Sequence, residues 1–243
     1  MNIKLLTINI WRYFDWDKRK SESIKLFKKY NADIILLQEA AFDERLNYKN
    51  QVDEINQELK YKHYAFGKIA DMHNWNKIPI DWVMYFGFGI ITKYPILKTQ
   101  IVKLKPVIKE RPLGFFYIQV QTPEGKLDLI NVHFENTDQG SESNLIETLS
   151  WCKKNHLKPI IAGDFNIINT EILIKHSQKD YEISYLFKPY KSYMPTEFSS
   201  NKEPVTLDYI LLSKDHFSFK NLNCIKSKAS DHYPIYSEIE KIK

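Results

Sequence analysis

Glycine, cysteine and arginine are scarce in this 243-residue chain, with seven, two and four of them. Two isolated thiols, Cys152 and Cys224, are too few for a disulfide framework or a zinc site, and they read as core or incidental cysteines. Long apolar runs are also missing. The apolar stretches at 34–37, 90–91 and 160–162 fall far short of the roughly 20 residues that a bilayer-spanning helix requires. The opening ten residues hold one lysine and a short apolar run, and Arg12, Asp15, Asp17, Lys18 and Arg19 follow at once. That pattern lacks the apolar core and small-residue cleavage site of a secretory signal, so the cytoplasm is the expected compartment.

The remaining composition is that of a globular protein, with 43% hydrophobic, 27% charged and 14% aromatic residues. The length permits one large domain or two small ones, and it suffices to bury a sizeable core. No linker-like stretch, repeat or low-complexity segment divides the chain, so a single domain over 1–243 is expected. The net charge of +5 is compatible with nucleic acid or an anionic lipid surface. The excess is almost wholly lysine, which fits a solvated surface as well as a binding face.

Strand-like and helix-like segments alternate throughout. Short apolar, β-branched runs at 3–10, 33–38, 61–66, 82–93, 115–121, 127–135, 159–163, 206–212 and 234–239 predict strands. Helical spacing marks Ile24, Phe27 and Tyr30, then Val52, Ile55 and Leu59 within 50–59, and Leu145, Leu149 and Cys152 within 141–155. The turn signal Thr122-Pro-Glu-Gly125 between two alternating runs implies antiparallel neighbours, and hence mixed sheets. Segments 70–79 and 192–204 mix polar, proline and aromatic residues without a period and read as the least structured.

Six predicted strand ends each carry an acid, an amide or an imidazole. Asn9 ends the first strand and Gln38-Glu39 the second; His133 lies near the end of Ile130-Asn-Val-His-Phe. Gly163-Asp-Phe-Asn166 follows a buried run, Asp208 sits in Thr206-Leu-Asp-Tyr-Ile, and Ser230-Asp-His232 precedes the last strand. Polar groups gathered at one sheet edge are expected of a ligand pocket. Each has a structural alternative: Asn9 as a strand cap, Glu39 as a surface carboxylate, His133 as a satisfied core histidine, Asp164 and Asn166 as an Asx turn. A carboxylate at 208 between Leu207 and Tyr209 demands a partner, which His232 supplies.

In their order and separation, Thr7-Ile-Asn, Leu37-Gln-Glu, Gly89-Ile, Asn131-Val-His, Gly163-Asp-Phe-Asn, Leu207-Asp-Tyr-Ile and Ser230-Asp-His resemble the endonuclease/exonuclease/phosphatase superfamily, also called deoxyribonuclease-I-like. The resemblance runs from about residue 7 to about 240. It implies an α/β fold, a four-layer α/β sandwich of two packed mixed β-sheets flanked by helices, and Mg2+- or Mn2+-dependent hydrolysis of phosphate esters. By the same resemblance Glu39 is the principal metal ligand, with Asn9 and Asp231 completing or bordering the site. Asp164 deprotonates the attacking water, Asn166 holds Asp164 or a phosphate oxygen, and His232, oriented by Asp208, stabilises transition-state charge. His133 is a second donor or acid beside the phosphate.

Relatives of this kind act on DNA, on tyrosyl-DNA adducts, on sphingomyelin, on inositol phosphates and on nucleotides. His133 and the Ile8-Asn9 pair depart from the abasic-site branch, which usually has tyrosine and Trp-Asn there. Trp75 and Trp82 mark a segment able to stack on unpaired bases, to enter a lipid surface or to pack on the sheet edge. Arg111 is a candidate phosphate contact or a partner of Glu110. DNA is the expected partner and substrate of a monomeric enzyme, with sphingomyelin or an inositol phosphate as the alternative. A non-catalytic scaffold would be expected to lack one of Glu39, Asp164 or His232, and all three are present.

Overall fold

The computed structural model describes residues 1–46, 49–75, 78–107, 113–195 and 203–242; Arg111 lies outside them. The chain begins with β1 (Asn2–Asn9), α1 (Trp16–Tyr30), β2 (Ile34–Asp43), α2 (Gln51–Leu59) and β3 (His63–Asp71). A small hairpin of β4 (Asn74–Trp75) and β5 (Ile78–Pro79) leads into β6 (Met84–Thr92) and β7 (Ile96–Leu104). Next come β8 (Leu113–Thr122), β9 (Gly125–His133), α3 (Asp138–Lys154), β10 (Ile160–Asp164), α4 (Thr170–Ser177), β11 (Tyr181–Ile183) and α5 (Ser184–Phe187). The chain closes with β12 (Asp208–Ser213), β13 (Phe217–Cys224) and β14 (Ile235–Lys241).

Two six-stranded sheets form, in the orders β13-β14-β1-β2-β6-β3 and β11-β12-β10-β9-β8-β7. Both are mixed, because β1 pairs parallel with β2 and β9 with β10 while the other pairs are antiparallel. The two-residue side-chain period of a strand decides what goes where. In β1, Ile3 and Leu5 pack between the sheets, whereas Leu6 and Ile8 pack outward with Phe27 of α1 and Val52 of α2. In the second sheet, Leu129, Ile160 and Ile210 point inward, and Ile130, Ile161 and Leu211 pack outward with Leu145 of α3 and Leu173 of α4. Burial on both faces explains why these strands are continuous apolar runs. The result is the expected four-layer sandwich.

Local chemistry sets the helix starts. Asn50 caps α2 through a reciprocal pair with Asp53, and Thr137 caps α3, so α3 starts three residues earlier than its apolar spacing suggested. The edge strands β7 and β13 and the short helix α4 were not apparent in the apolar pattern. Among the described residues of 70–79 the order exceeds expectation, since β3 runs to Asp71 and β4 pairs with β5.

Candidate active site

Strand register assembles the first half of the site. Asp164 at the end of β10 lies directly opposite Asp208 on β12 and His133 on β9, so three adjacent strands present Asp208, Asp164 and His133 side by side. These residues have the same parity as the inward-facing Ile210, Ala162 and Leu129. The alternation that fills the middle of the sandwich with aliphatic groups therefore fills its end with polar ones. Gly163 makes this possible: its φ is 141°, and a Cβ there would lie 2.2 Å from the Val132 carbonyl oxygen.

Each group has a defined partner. His232 Nδ1 is 2.8 Å from Asp208 Oδ2, and its Nε2 faces Asp164 Oδ2 at 3.8 Å. Asp164 accepts hydrogen bonds from Asn9 Nδ2 at 3.0 Å and from the Asn166 backbone N–H at 3.0 Å. Asn166 thus holds Asp164 through its main chain, while its side-chain amide donates to the Phe134 carbonyl at 2.9 Å. Asn9 Oδ1 accepts from the Trp11 N–H, so its nitrogen faces the carboxylate. The Ser230 hydroxyl donates to the Asn9 carbonyl at 2.7 Å and lies 3.0 Å from Asp231 Oδ1, which joins the last strand-end motif to the first.

The facing sheet supplies Glu39 through a bulge. In the pairing of β2 with β6, Leu37 faces Gly89 and Ala40 faces Gly87, so two residues of β2 oppose one of β6. Glu39 takes φ 53°, and Gln38 and Glu39 both turn towards the opposite sheet. Glu39 lies 3.6 Å from His133 Nε2 and accepts a 2.7 Å bond from Arg12 Nε. Asn131 of β9 donates to the Leu37 and Gly89 carbonyls at 3.0 and 3.1 Å, and Gln38 Nε2 donates to Asn131 Oδ1 and Thr7 Oγ1 at 2.6 and 3.0 Å. This buried polar bridge pins the two sheets together beneath the bulge.

The electrostatics follow from burial and charge. Burial raises the Asp164 carboxyl, and the neighbouring Asp208 raises it further against the opposing pull of His232. Burial alone would depress the His232 imidazolium, but Asp208, Asp164 and Asp231 outweigh it and raise His232 to about 10. Burial also works against ionised Glu39, yet Arg12, His133 and His232 hold it down at about 2. Asp231 is pushed up by burial and by the charge of Glu39. One ligand-type atom each from Asp164, Asp208 and His232 lie within 4.8 Å of one another. With His232 Nδ1 bonded to Asp208, the trio is a hydrogen-bonded chain whose three atoms are also close enough to share a cation.

Beside Glu39 and His133 opens a cleft of about 240 Å3, walled by Ile69, Phe86, Phe88 and Leu113 and bordered by Arg12 and Asp71. At the same end of the fold Phe14 stacks between Trp11 and Trp75, with ring centroids at 5.3 and 4.5 Å. Trp75 is thereby packed on the loop after β1, and Trp82 carries the Arg45 guanidinium 3.6 Å over its ring.

The structure brings seven of the expected residues, Asn9, Glu39, His133, Asp164, Asn166, Asp208 and His232, into one connected network, and Ser230 ties in Asp231. Sequence reasoning missed Arg12, Gln38 and Asn131 as members. For Arg12 the available signal was the scarcity of arginine in a lysine-rich chain; Gln38 and Asn131 sat inside quoted motifs without a role.

Comparison with known proteins gives the family. Residues 6–232 match the family model described as Endonuclease/Exonuclease/phosphatase family. The chain belongs to that family. Within the endonuclease/exonuclease/phosphatase family it is similar to Sphingomyelinase C of Leptospira interrogans, 25% identical over 296 residues that cover 98% of this chain and 52% of the relative. A second relative from that species, Sphingomyelinase C 2, is 25% identical over 97% of this chain and 44% of its own length, so the chain spans about half the length of these curated relatives. Among solved structures, an endonuclease/exonuclease/phosphatase from Beutenbergia cavernae superposes with TM-score 0.79 at 15% identity, covering 99% of this chain and 72% of that one. D. rerio TDP2 complexed with a single-strand DNA product superposes with TM-score 0.65 at 18% identity, covering 98% of this chain and 99% of that one. The structural likenesses show the two-sheet fold, and the family model shows the family.

Proposed function

We propose that this protein is a Mg2+- or Mn2+-dependent phosphodiesterase with DNA as its substrate. The observation that carries the reading is the buried line Asp208–His232–Asp164–Asn9 ending beside Glu39. A cation would sit on the opposite side of this line. Glu39 and Asp231 are acidic oxygen donors close enough for the charge of one to raise the other, and hard oxygen donors are what Mg2+ takes. Held by Glu39 and Asp231, with Asn9 bordering, the metal would neutralise phosphate charge and polarise the P–O bond.

The chain's own residues do the rest. Asp164, raised by burial and fixed by Asn9 and the Asn166 N–H, accepts the proton of an attacking water. His232, kept protonated by Asp208, donates from Nε2 to the phosphoryl oxygen on which charge accumulates. His133, 3.6 Å from Glu39 and 3.7 Å from Asp164, is the second donor or acid beside the phosphate in this reading. The Trp11–Phe14–Trp75 stack supports the DNA reading, since aromatic faces beside a phosphate site suit unpaired bases. A monomer in the cytoplasm completes the proposal.

Sphingomyelin is the second reading, favoured by the two Leptospira interrogans relatives that align along nearly the whole chain. The deciding assay offers plasmid, single-stranded and 5′-tyrosyl oligonucleotide, sphingomyelin and an inositol phosphate, each with Mg2+, Mn2+ or chelator. Cleavage of the nucleic acids, lost in Asp164→Asn and His232→Ala by a factor of about 10² to 10⁴, is expected. Turnover of sphingomyelin alone would replace DNA as the substrate. Failure on every phosphodiester with either metal would sink the enzyme reading itself.

A further inference from the structure

Arg19 lies outside the site and is only 6% exposed, yet its guanidinium touches both segments that frame it. Nε donates to the Phe14 carbonyl at 2.7 Å, and one terminal nitrogen donates to Ile10 at 3.0 Å and Ala229 at 2.7 Å. The other donates to the carbonyls of Trp11 at 3.2 Å, Arg12 at 3.1 Å and Phe14. The ring centroids of Trp11 and Trp16 lie 5.2 and 5.6 Å from the charged carbon, within cation–π range.

Three of these carbonyls have a second donor, Trp11 from the Phe14 N–H at 3.3 Å, Arg12 from Gln51 Nε2 at 2.6 Å and Ala229 from the Ser23 hydroxyl at 3.5 Å, and Arg19 joins all five in one plane. Trp11 and Arg12 have φ of 54° and 44°, which turns the chain out of β1 and points the oxygens of this loop towards side chains. That loop begins at Asn9, the partner of Asp164, and carries Arg12, the partner of Glu39. Ala229 immediately precedes Ser230, Asp231 and His232. We propose that Arg19 is a positioning residue, a buried clamp that fixes the loop at 10–14 and the segment at 229–232 relative to one another and so preorganises both flanks of the site. Five N–H groups in a rigid plane can serve five carbonyls from two segments, whereas a lysine ammonium has three donors at one point. A chain with 31 lysines uses arginine here for a geometric reason.

The inference rests on the phosphodiesterase reading only for its metal-binding readout. In hydrogen exchange followed by mass spectrometry, Arg19→Lys should raise exchange in 10–14 and 229–232 together while β1 and β10 stay protected. Mn2+ affinity measured by titration calorimetry should fall about tenfold, as for residues that orient ligands from behind. Phe27→Leu, a fully buried change on the same helix, serves as a control matched for lost stability and should move neither readout. A variant that fails to fold does not shelter the proposal. In the unaltered protein at sub-denaturing urea, 10–14 and 229–232 should open as one unit with one free energy. Separate opening, exchange confined to one segment, or equal changes in Phe27→Leu would overturn it. Absence of Mn2+ binding by the unaltered protein would defeat the metal reading and leave the exchange data to decide on Arg19.

Discussion

Asp208 and His232 show how one buried pair sets the chemistry of its neighbour. A carboxylate in an apolar strand is costly until it is paired, and the imidazole 2.8 Å away makes Asp208 tolerable while acquiring a proton itself. The sign of the linkage is definite. Because the folded-state value of His232 lies near 10, above the ordinary 6.5, its contribution to stability is fully present below pH 6.5 and is lost as the pH rises through 10. Asp208→Asn should therefore lower the His232 titration towards its ordinary value, as followed by NMR of the imidazole nitrogens, and should cut turnover at least 100-fold. An unmoved titration would assign the control of His232 to Asp164 instead. The pairing of Asp208 with His232 was legible in the sequence because burial leaves a lone acid few options. Asn166 was only half legible, since its residue type suggested a side-chain amide while the backbone N–H does the holding.

Elements place these side chains through register, and register has a weak point at the β2 bulge. Asn131 donates to the Leu37 and Gly89 carbonyls there and accepts from Gln38 Nε2, so Asn131→Ala would remove three buried hydrogen bonds across the two sheets. The expected cost is about 2–3 kcal/mol by urea denaturation, with a larger loss of kcat than of substrate binding as Glu39 loses its position. Retained stability would mean that the bulge is held by Gln38 alone. Alternating and apolar runs made β1, β9, β10 and β12 legible. The bulge was not, because it is a relation between two strands. The edge strands β7 and β13 escaped notice because residues such as Lys98, Thr99, Gln100, Lys220 and Asn221 break the apolar pattern on faces that no layer covers.

At the scale of the whole molecule, the sandwich closes carboxylates into one end of its interior. On the proposed function Glu39 and Asp231 would share a divalent cation that offsets their repulsion, so metal should stabilise the fold as well as support turnover. At a metal concentration 100 times the dissociation constant the gain is about 2.7 kcal/mol, or roughly 5–10 °C in melting temperature for a domain of this size. Differential scanning fluorimetry with Mg2+, with Mn2+ and with excess chelator measures it, and Glu39→Gln should abolish the shift. A melting temperature indifferent to both ions would remove the metal from the proposal.

The sequence by itself determined the alternation of strands and helices and the residue types at the strand ends, and its resemblance to the family implied the four layers. Tertiary structure alone decided which groups touch. Asp164 meets Asp208 and His133 through the pairing of β10 with β12 and β9, Glu39 meets Arg12 through a bulge and a left-handed loop, and Arg19 reaches a carbonyl 210 positions away. Local propensity acts over a few residues along the chain, whereas hydrogen bonds and charges act over a few ångströms in space, and only the fold relates the two distances.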